Sequence, residues 1–398
     1  MKKIDKVLKI YDLLEIGEWN IDSKKPIRSF GLSDDSLNVI NILEFDELIN
    51  SLYEEENEIF RSFSHKVFVG KLIAFIGKFK VESSKISESE VKAFFQELKN
   101  SPLLDYSIYR EIFGITINQD KKITVGNFEI SPFSLIKKGN LKESKYYLDS
   151  KQYEPQIMIK YNVKARDRVR ALELADEAFK KFILFLRYII GTSNKRFEVG
   201  ILHFSGFKSR KAFIHSSDGN LSVDSACYGY SEAIPLDDLY FVNSAMGYDK
   251  VWSLIDKKKS KLEQRLATAI EWLGRSLEED AIQAAFIEAS IALEAIFTYS
   301  EKSIVSPSIL SQISESTALL LGKNVNDRLE IEKQMKQLYS IRSGVVHAGS
   351  KEVSEESYSL FVSYIRNVIT KLLVSHPYNS CSTIEDLYEE LKKIKYGA

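Results

Sequence analysis

The chain has 398 residues, 44% hydrophobic and 28% charged, with a formal net charge of −1. That is the profile of a soluble globular protein with room for two or more domains, and it excludes a wholly basic nucleic-acid binder and a low-complexity chain. With no whole-protein field, any contact with RNA must come from local patches. Cys227 and Cys381 are the only cysteines, far apart and without metal-ligand spacing, so they read as two reduced thiols. The first residues, MKKIDKVLKIYDLLEIGE, begin with lysines but contain no long apolar core, and no window reaches the ~18 apolar residues of a membrane span. A cytoplasmic location with no membrane contact is the expectation.

Within residues 33–63, NVINILEFDELINSLYEEENEIF reads as a strand followed by a helix. SESEVKAFFQELK is a clearer helix: Ser87 caps it, Glu90 completes a capping box, and Val91, Phe94, Phe95 and Leu98 form the apolar stripe. From Tyr106 to Phe133 the pattern turns β, and SIYREIFGITI, the turn NQDKK and ITVGNFEISPF predict a hairpin. Gln156 to Val163 predicts another strand. A helix then runs from Arg168 to Ile190, stopped by Gly191. Strands return over Arg196–Phe207 and Ala212–His215, and the boundary of this α+β half is placed near Met246–Ser253.

Every later pattern is helical. Leu262, Leu266, Ile270, Leu273 and Leu277 make one amphipathic helix. Ala281 to Tyr299 is apolar nearly all round and should be the central helix. Ser306-Pro307 starts a third, Asp327 to about Ile341 is a fourth, and Ser354-Glu355-Glu356 opens a fifth. Ser382 with Glu385 predicts a capping box for a sixth. The reading is therefore an α+β region over 1–250 and an all-α bundle over 251–398.

Inside the bundle, Leu338 to Gly349 reads LYSIRSGVVHAG. Arg offers a fixed positive fork for phosphate oxygens, and His exchanges a proton near neutrality, so Arg342 and His347 suit phosphoryl chemistry. A five-residue step at about 100° per residue sets the two roughly 140° apart on a straight helix. They converge only if the helix breaks at Gly344 or if a second copy of the chain supplies the partner residue. Arg196–His203 and Arg210–His215 have similar spacing, but RFEVGILHF and RKAFIHSS alternate as strands do. Glu294 sits among apolar neighbours, so its carboxylate needs a partner: Arg342 is one, another base the alternative. Tyr339, three residues before Arg342, shares its helix face and reads either as substrate contact or as core. Lys257, Lys258, Lys259 and Lys261 form a basic cluster, and Arg166, Arg168 and Arg170 another; each is either a solvated face or a track for an RNA backbone. No phosphate loop, HExxH motif or paired zinc cysteines occur, so no cofactor or metal is called for.

The segment LYSIRSGVVHAG, with IALEAIF at Ile291–Phe297 and ALLLG at Ala318–Gly322, resembles the motif of HEPN ribonucleases, most closely the Apea-like branch. The likeness covers roughly the last third of the chain. It implies an all-α HEPN-like helical bundle and a metal-independent endoribonuclease in which a ribose 2′-hydroxyl attacks the adjacent phosphate, leaving a 2′,3′-cyclic phosphate. It further implies an anti-phage, abortive-infection effector or toxin that works as a homodimer through the bundle. RNA (tRNA among the candidates) would be the substrate, and the N-terminal region the sensor for a phage-derived trigger. On this reading His347 moves the proton, Arg342 holds the phosphate, Glu294 orients Arg342, and Tyr339, Lys258 and Lys259 contact substrate. Ser343 stands where the family often has Asn, Asp or His after the arginine. The alternative is a non-catalytic HEPN-like module kept for RNA binding or dimerisation.

Overall fold

The computed structural model describes residues 1–17, 28–31, 36–118, 121–137, 156–191, 199–201, 208–215, 221–228, 233–255, 259–299, 308–348 and 352–397. It has an N-terminal α/β part and a mostly helical C-terminal part. Its contacts divide it into two compact units, residues 1–108 with 162–176, and residues 109–161 with 177–398.

In the first unit, α1 (Lys3–Asp12), β1 (Leu14–Gly17), β2 (Ser29–Gly31) and β3 (Ser36–Val39) precede α2 (Ile42–Glu55), α3 (Asn57–Ser62), α4 (His65–Val81) and α5 (Glu88–Asn100). The three short strands form an antiparallel sheet in the order β1-β3-β2. The core is a single cluster that includes Phe45, Leu52, Phe68, Leu72, Ile76 and Phe95. The Ser87–Glu90 capping box is present on α5, and Val91, Phe94, Phe95 and Leu98 are its buried residues, as the spacing predicts.

Strands β4 (Leu104–Glu111), β5 (Ile115–Thr116), β6 (Ile123–Val125) and β7 (Phe128–Pro132) follow, then the short α6 (Phe133–Lys137) and β8 (Ile157–Ala165). The expected hairpin across NQDKK is not formed. β4 neighbours β8 instead, in a sheet of order β4-β8-β7-β6. The tight turn lies inside the run read as one strand: Gly126, at φ +58°, lets the chain reverse between Val125 and Phe128. Helix α7 (Arg168–Ile190) has the predicted bounds and ends at Gly191, whose φ is +69°. Its first residues are capped by Asp167, whose Oδ1 accepts from the amides of Val169 and Arg170, both at 2.9 Å. β9 (Lys208–His215) and β10 (Leu221–Tyr228) pair antiparallel, and β11 (Ile234–Pro235) runs parallel to β5. Arg196, His203 and most of the strand read over 196–207 lie outside the described residues.

The boundary read near residue 250 falls inside the second unit. Aromatic packing accounts for this: Phe128 meets Phe182 at 4.9 Å between centroids, and Phe182 stacks on Trp252 at 5.2 Å. Trp252 belongs to α8 (Tyr248–Ser253), so β7, the later part of α7 and α8 pack together within the second unit. The bundle continues with α9 (Lys261–Glu278), α10 (Ile282–Phe297), α11 (Ile309–Leu321), α12 (Val325–Ala348), α13 (Glu355–Val374) and α14 (Ile384–Tyr396). Helix α10 touches α9, α11, α12 and α13, and is the central helix its all-round apolar sequence predicts. Leu262, Leu266, Ile270, Leu273 and Leu277 are all buried on α9. Ser308 caps α11, while Ser306 and Pro307, read as its start, lie outside the described residues. On α14 the start differs from expectation: Thr383 with Asp386, not Ser382 with Glu385, forms the box.

Two glycines allow close approaches. At Gly274 of α9, an added Cβ would lie 2.3 Å from the carbonyl oxygen of Leu184, so the backbones of α9 and α7 nearly touch. At Gly191, a Cβ would lie 1.1 Å from Nη1 of Arg366, which reaches from α13 over the C-terminal end of α7. The Arg366 guanidinium donates to the Tyr248 hydroxyl at 2.6 Å and to the Ile189 carbonyl at 3.5 Å, placing a cation at the negative end of a helix dipole.

Candidate functional site

Helix α12 carries both residues of the Arg/His pair. It is longer than its apolar pattern predicts, running unbroken from Val325 to Ala348, so the break entertained at Gly344 is absent. A glycine inside a helix costs only about 1 kcal/mol, which a helix docked along its length readily absorbs. Positions 342 and 347 therefore stand about 140° apart around one continuous helix. Of the two routes to convergence, bending is not taken.

The face of α12 turned to the core presents Met335, Leu338 and Tyr339, all buried. Across from it, Glu294 sits one turn before the end of α10. That end is firmly held: Arg265 donates to the carbonyls of Ala295 at 2.9 Å and Thr298 at 3.0 Å, and the Tyr388 hydroxyl donates to the Phe297 carbonyl at 2.8 Å. These bonds satisfy carbonyls that a helix terminus leaves open.

Three side chains meet there. Nη2 of Arg342 lies 3.3 Å from Oε1 of Glu294, the ion pair suggested by the apolar surroundings of Glu294. The Tyr339 hydroxyl donates to the same oxygen at 2.5 Å. The guanidinium also lies over the Tyr339 ring, 5.6 Å from its centroid. Arg342 keeps 24% of its side chain exposed and Glu294 20%, whereas Tyr339 is 7% exposed. Tyr339 thus faces the carboxylate, with little surface left for a substrate. Burial, reinforced by the bond to Glu294 and its charge, pushes the Tyr339 phenol well above its ordinary range, against the pull of Arg342. Nε of Arg342 is buried with no acceptor among the described residues.

The other sequence candidates are more dispersed. Ser343 is exposed on α12 beside Arg342. Lys259 immediately precedes Ser260, the cap of α9, and its carbonyl accepts from Gln264 at 3.2 Å. Lys258 lies outside the described residues. Position 215 ends strand β9, in agreement with the strand reading of RKAFIHSS. Among the described residues no group of three or more His, Cys, Asp or Glu is placed to hold a metal ion.

The sequence reading missed an open groove along the outer side of α12. It is about 600 Å³ in volume and is lined by Leu329, Glu332, Lys333, Lys336, Gln337 and Ser340. The signal was the 3–4 spacing 329, 333, 336, 340, which continues to 343 and 347 on the same side of the helix. Lys336 pairs with Glu332 at 2.5 Å, while Lys333 is exposed and makes no ion pair among the described residues. No family model, curated protein or solved structure matches this chain.

Chemically, the Arg342 site is a mostly buried arginine with Nη2 beside a carboxylate and about a quarter of its side chain exposed. Such a group can hold an anion with two oxygens, phosphate above all.

Proposed function

We propose that the chain is a metal-independent endoribonuclease with a HEPN-like C-terminal bundle, acting as an anti-phage abortive-infection effector or toxin. The observation that carries this reading is the Arg342 guanidinium, braced by Glu294 and Tyr339 on the same unbroken helix that bears His347. Arg342 holds the scissile phosphate and stabilises its developing charge, and His347 transfers the proton of the attacking 2′-hydroxyl or the leaving 5′-oxygen. Glu294 orients Arg342. Because the two positions diverge by about 140° on one helix, the composite site draws its arginine and histidine from two copies of the bundle, which makes a two-fold dimer the working form. The N-terminal region senses a phage-derived trigger, in the cytoplasm.

The same divergence favours one other reading, a non-catalytic HEPN-like RNA-binding or dimerisation module. One experiment separates them. Wild type, Arg342→Ala and His347→Ala are expressed at equal levels, and RNA ends are sequenced with and without a chelator. Cleavage that persists in chelator, leaves 2′,3′-cyclic phosphates and falls by about 10²–10⁴ in both variants is expected. Loss of cleavage in EDTA with recovery in magnesium would refute the metal-free mechanism. Full defence by His347→Ala would establish the binding-module reading.

A further inference from the structure

The arrangement of Glu294 poses a problem that the phosphate-holding role of Arg342 must solve. A carboxylate beside an arginine ordinarily forms a two-bonded fork with it, which neutralises the cation and fills the donors a phosphate would use. Here the fork is not made. Glu294 touches Arg342 through a single 3.3 Å contact at Nη2, and Nε, on the same edge of the guanidinium, is left buried with no acceptor among the described residues. A buried donor without a partner is costly, so something must hold the carboxylate back. The Tyr339 hydroxyl is placed to do this, because its 2.5 Å bond is to the same Oε1 that faces Arg342. Tyr339 is buried, and its ring lies under the guanidinium, so neither partner can leave without disturbing the other.

We infer that Tyr339 is a positioning residue whose hydroxyl restrains Glu294 from full pairing with Arg342, keeping the guanidinium charged toward solvent and open to an RNA phosphate. This rests on the proposed role of Arg342 and gives Tyr339 a different part from direct substrate contact. Glu294 then acts in two opposed ways: restrained by Tyr339 it aims the arginine, and unrestrained it competes with the substrate for it. The orphaned Nε is the energetic cost of holding the site open, recovered only if Glu294 swings onto that edge.

The test is binding of a fluorescein-labelled single-stranded RNA, blocked by 2′-O-methyl groups, to wild type, Tyr339→Phe, Glu294→Gln, the double variant and Arg342→Ala, with cleavage of the unblocked RNA measured in parallel. Tyr339→Phe keeps the ring and removes only the hydroxyl. It should weaken binding about tenfold, the effect of losing one charge-assisted hydrogen bond. In Tyr339→Phe/Glu294→Gln, the uncharged amide cannot neutralise Arg342, so affinity should return to within about threefold of wild type while cleavage stays low. A merely structural tyrosine would show no such rescue. Wild-type affinity in Tyr339→Phe, or a loss that Glu294→Gln fails to relieve, overturns the inference while leaving the ribonuclease reading in place. Equal binding by wild type and Arg342→Ala removes the phosphate seat itself, and both readings with it.

Discussion

The pair at the centre of the site makes a quantitative prediction that needs no assumption about activity. Two unit charges 3.3 Å apart, the separation of Arg342 and Glu294, attract by about 5 kcal/mol at an effective dielectric constant of about 20. Both side chains keep a fifth to a quarter of their surface in solvent, so screening and the cost of partial desolvation remove most of that. A net coupling of about 1–2 kcal/mol remains, above the range of exposed pairs and below that of fully buried ones. The perturbation is a double-mutant cycle of Glu294→Gln and Arg342→Ala, read by urea unfolding followed through far-UV circular dichroism and the fluorescence of the three tryptophans. Glu294→Gln keeps the shape and still offers an oxygen to Tyr339, so its cost is mainly the lost charge. Each single variant should unfold at lower urea, and the double variant should be less destabilised than the sum. Additivity within about 0.5 kcal/mol would show that the two groups are neighbours without coupling, and the orienting role of Glu294 would have no basis.

The same glycine-to-alanine change should have opposite effects at two helical positions. At Gly70 on α4 an added Cβ meets nothing within 4 Å, so Gly70→Ala should stabilise by about 0.8–1 kcal/mol through helix propensity. At Gly274 the Cβ would meet the Leu184 carbonyl at 2.3 Å, so Gly274→Ala should instead destabilise by about 1–3 kcal/mol despite better propensity. Both are read as shifts in the urea midpoint, and equal signs would refute the crossing geometry. Glu288 gives a pH-dependent test. Burial, aided by Glu279 and Glu278 and opposed by Arg275, raises its pKa above the ordinary 4.5, and its Oε2 is buried without a partner. The folded state therefore holds this proton to higher pH than the unfolded chain, and stability is lost as pH rises through 4.5 toward the raised folded value. Glu288→Gln should melt above wild type at neutral pH, and the gain should vanish once the pH falls below 4.5. A gain that grows in acid would reverse the sign of the linkage. Finally, if the groove on α12 tracks RNA, Lys333→Glu should weaken binding across sequences and lower the salt-dependence slope by about 1 or more; an unchanged slope would leave that lysine a solvated side chain.

What could be read in advance followed the range of the interactions involved. The Ser87–Glu90 box and the α7 stop at Gly191 are set by residues within one turn of each other, and both appear as expected. Ser382 and Thr383 both offer a capping side chain three residues before an acid, and local chemistry does not choose between them. The pairing of β4 with β8 depends on a partner some fifty residues away, whereas NQDKK offered a local turn that the chain does not use for pairing. Within the site, an acid in an apolar run needs a cation, and Arg342 was one candidate among the bases of the helical part; the packed structure pairs the two. The Tyr339 bond to that acid was not legible, since only the packed geometry of α10 against α12 brings residues 294 and 339 together.

The contact between Gly191 and Arg366 bears on how this chain can change over generations. Position 191 needs a backbone that tolerates φ +69°, which already restricts it to glycine and a few polar residues such as asparagine. Any of those with a side chain would claim the space that Nη1 of Arg366 fills. A substitution at 191 is then accepted only after residue 366 has shortened, yet shortening Arg366 first strips the end of α7 of its cation and Tyr248 of a hydrogen-bond donor. Either single step costs stability on its own, so the two positions should persist together or be replaced together. Among diverging descendants of this chain, Gly191 and Arg366 are expected to behave as one inherited character, although 174 residues separate them in the sequence.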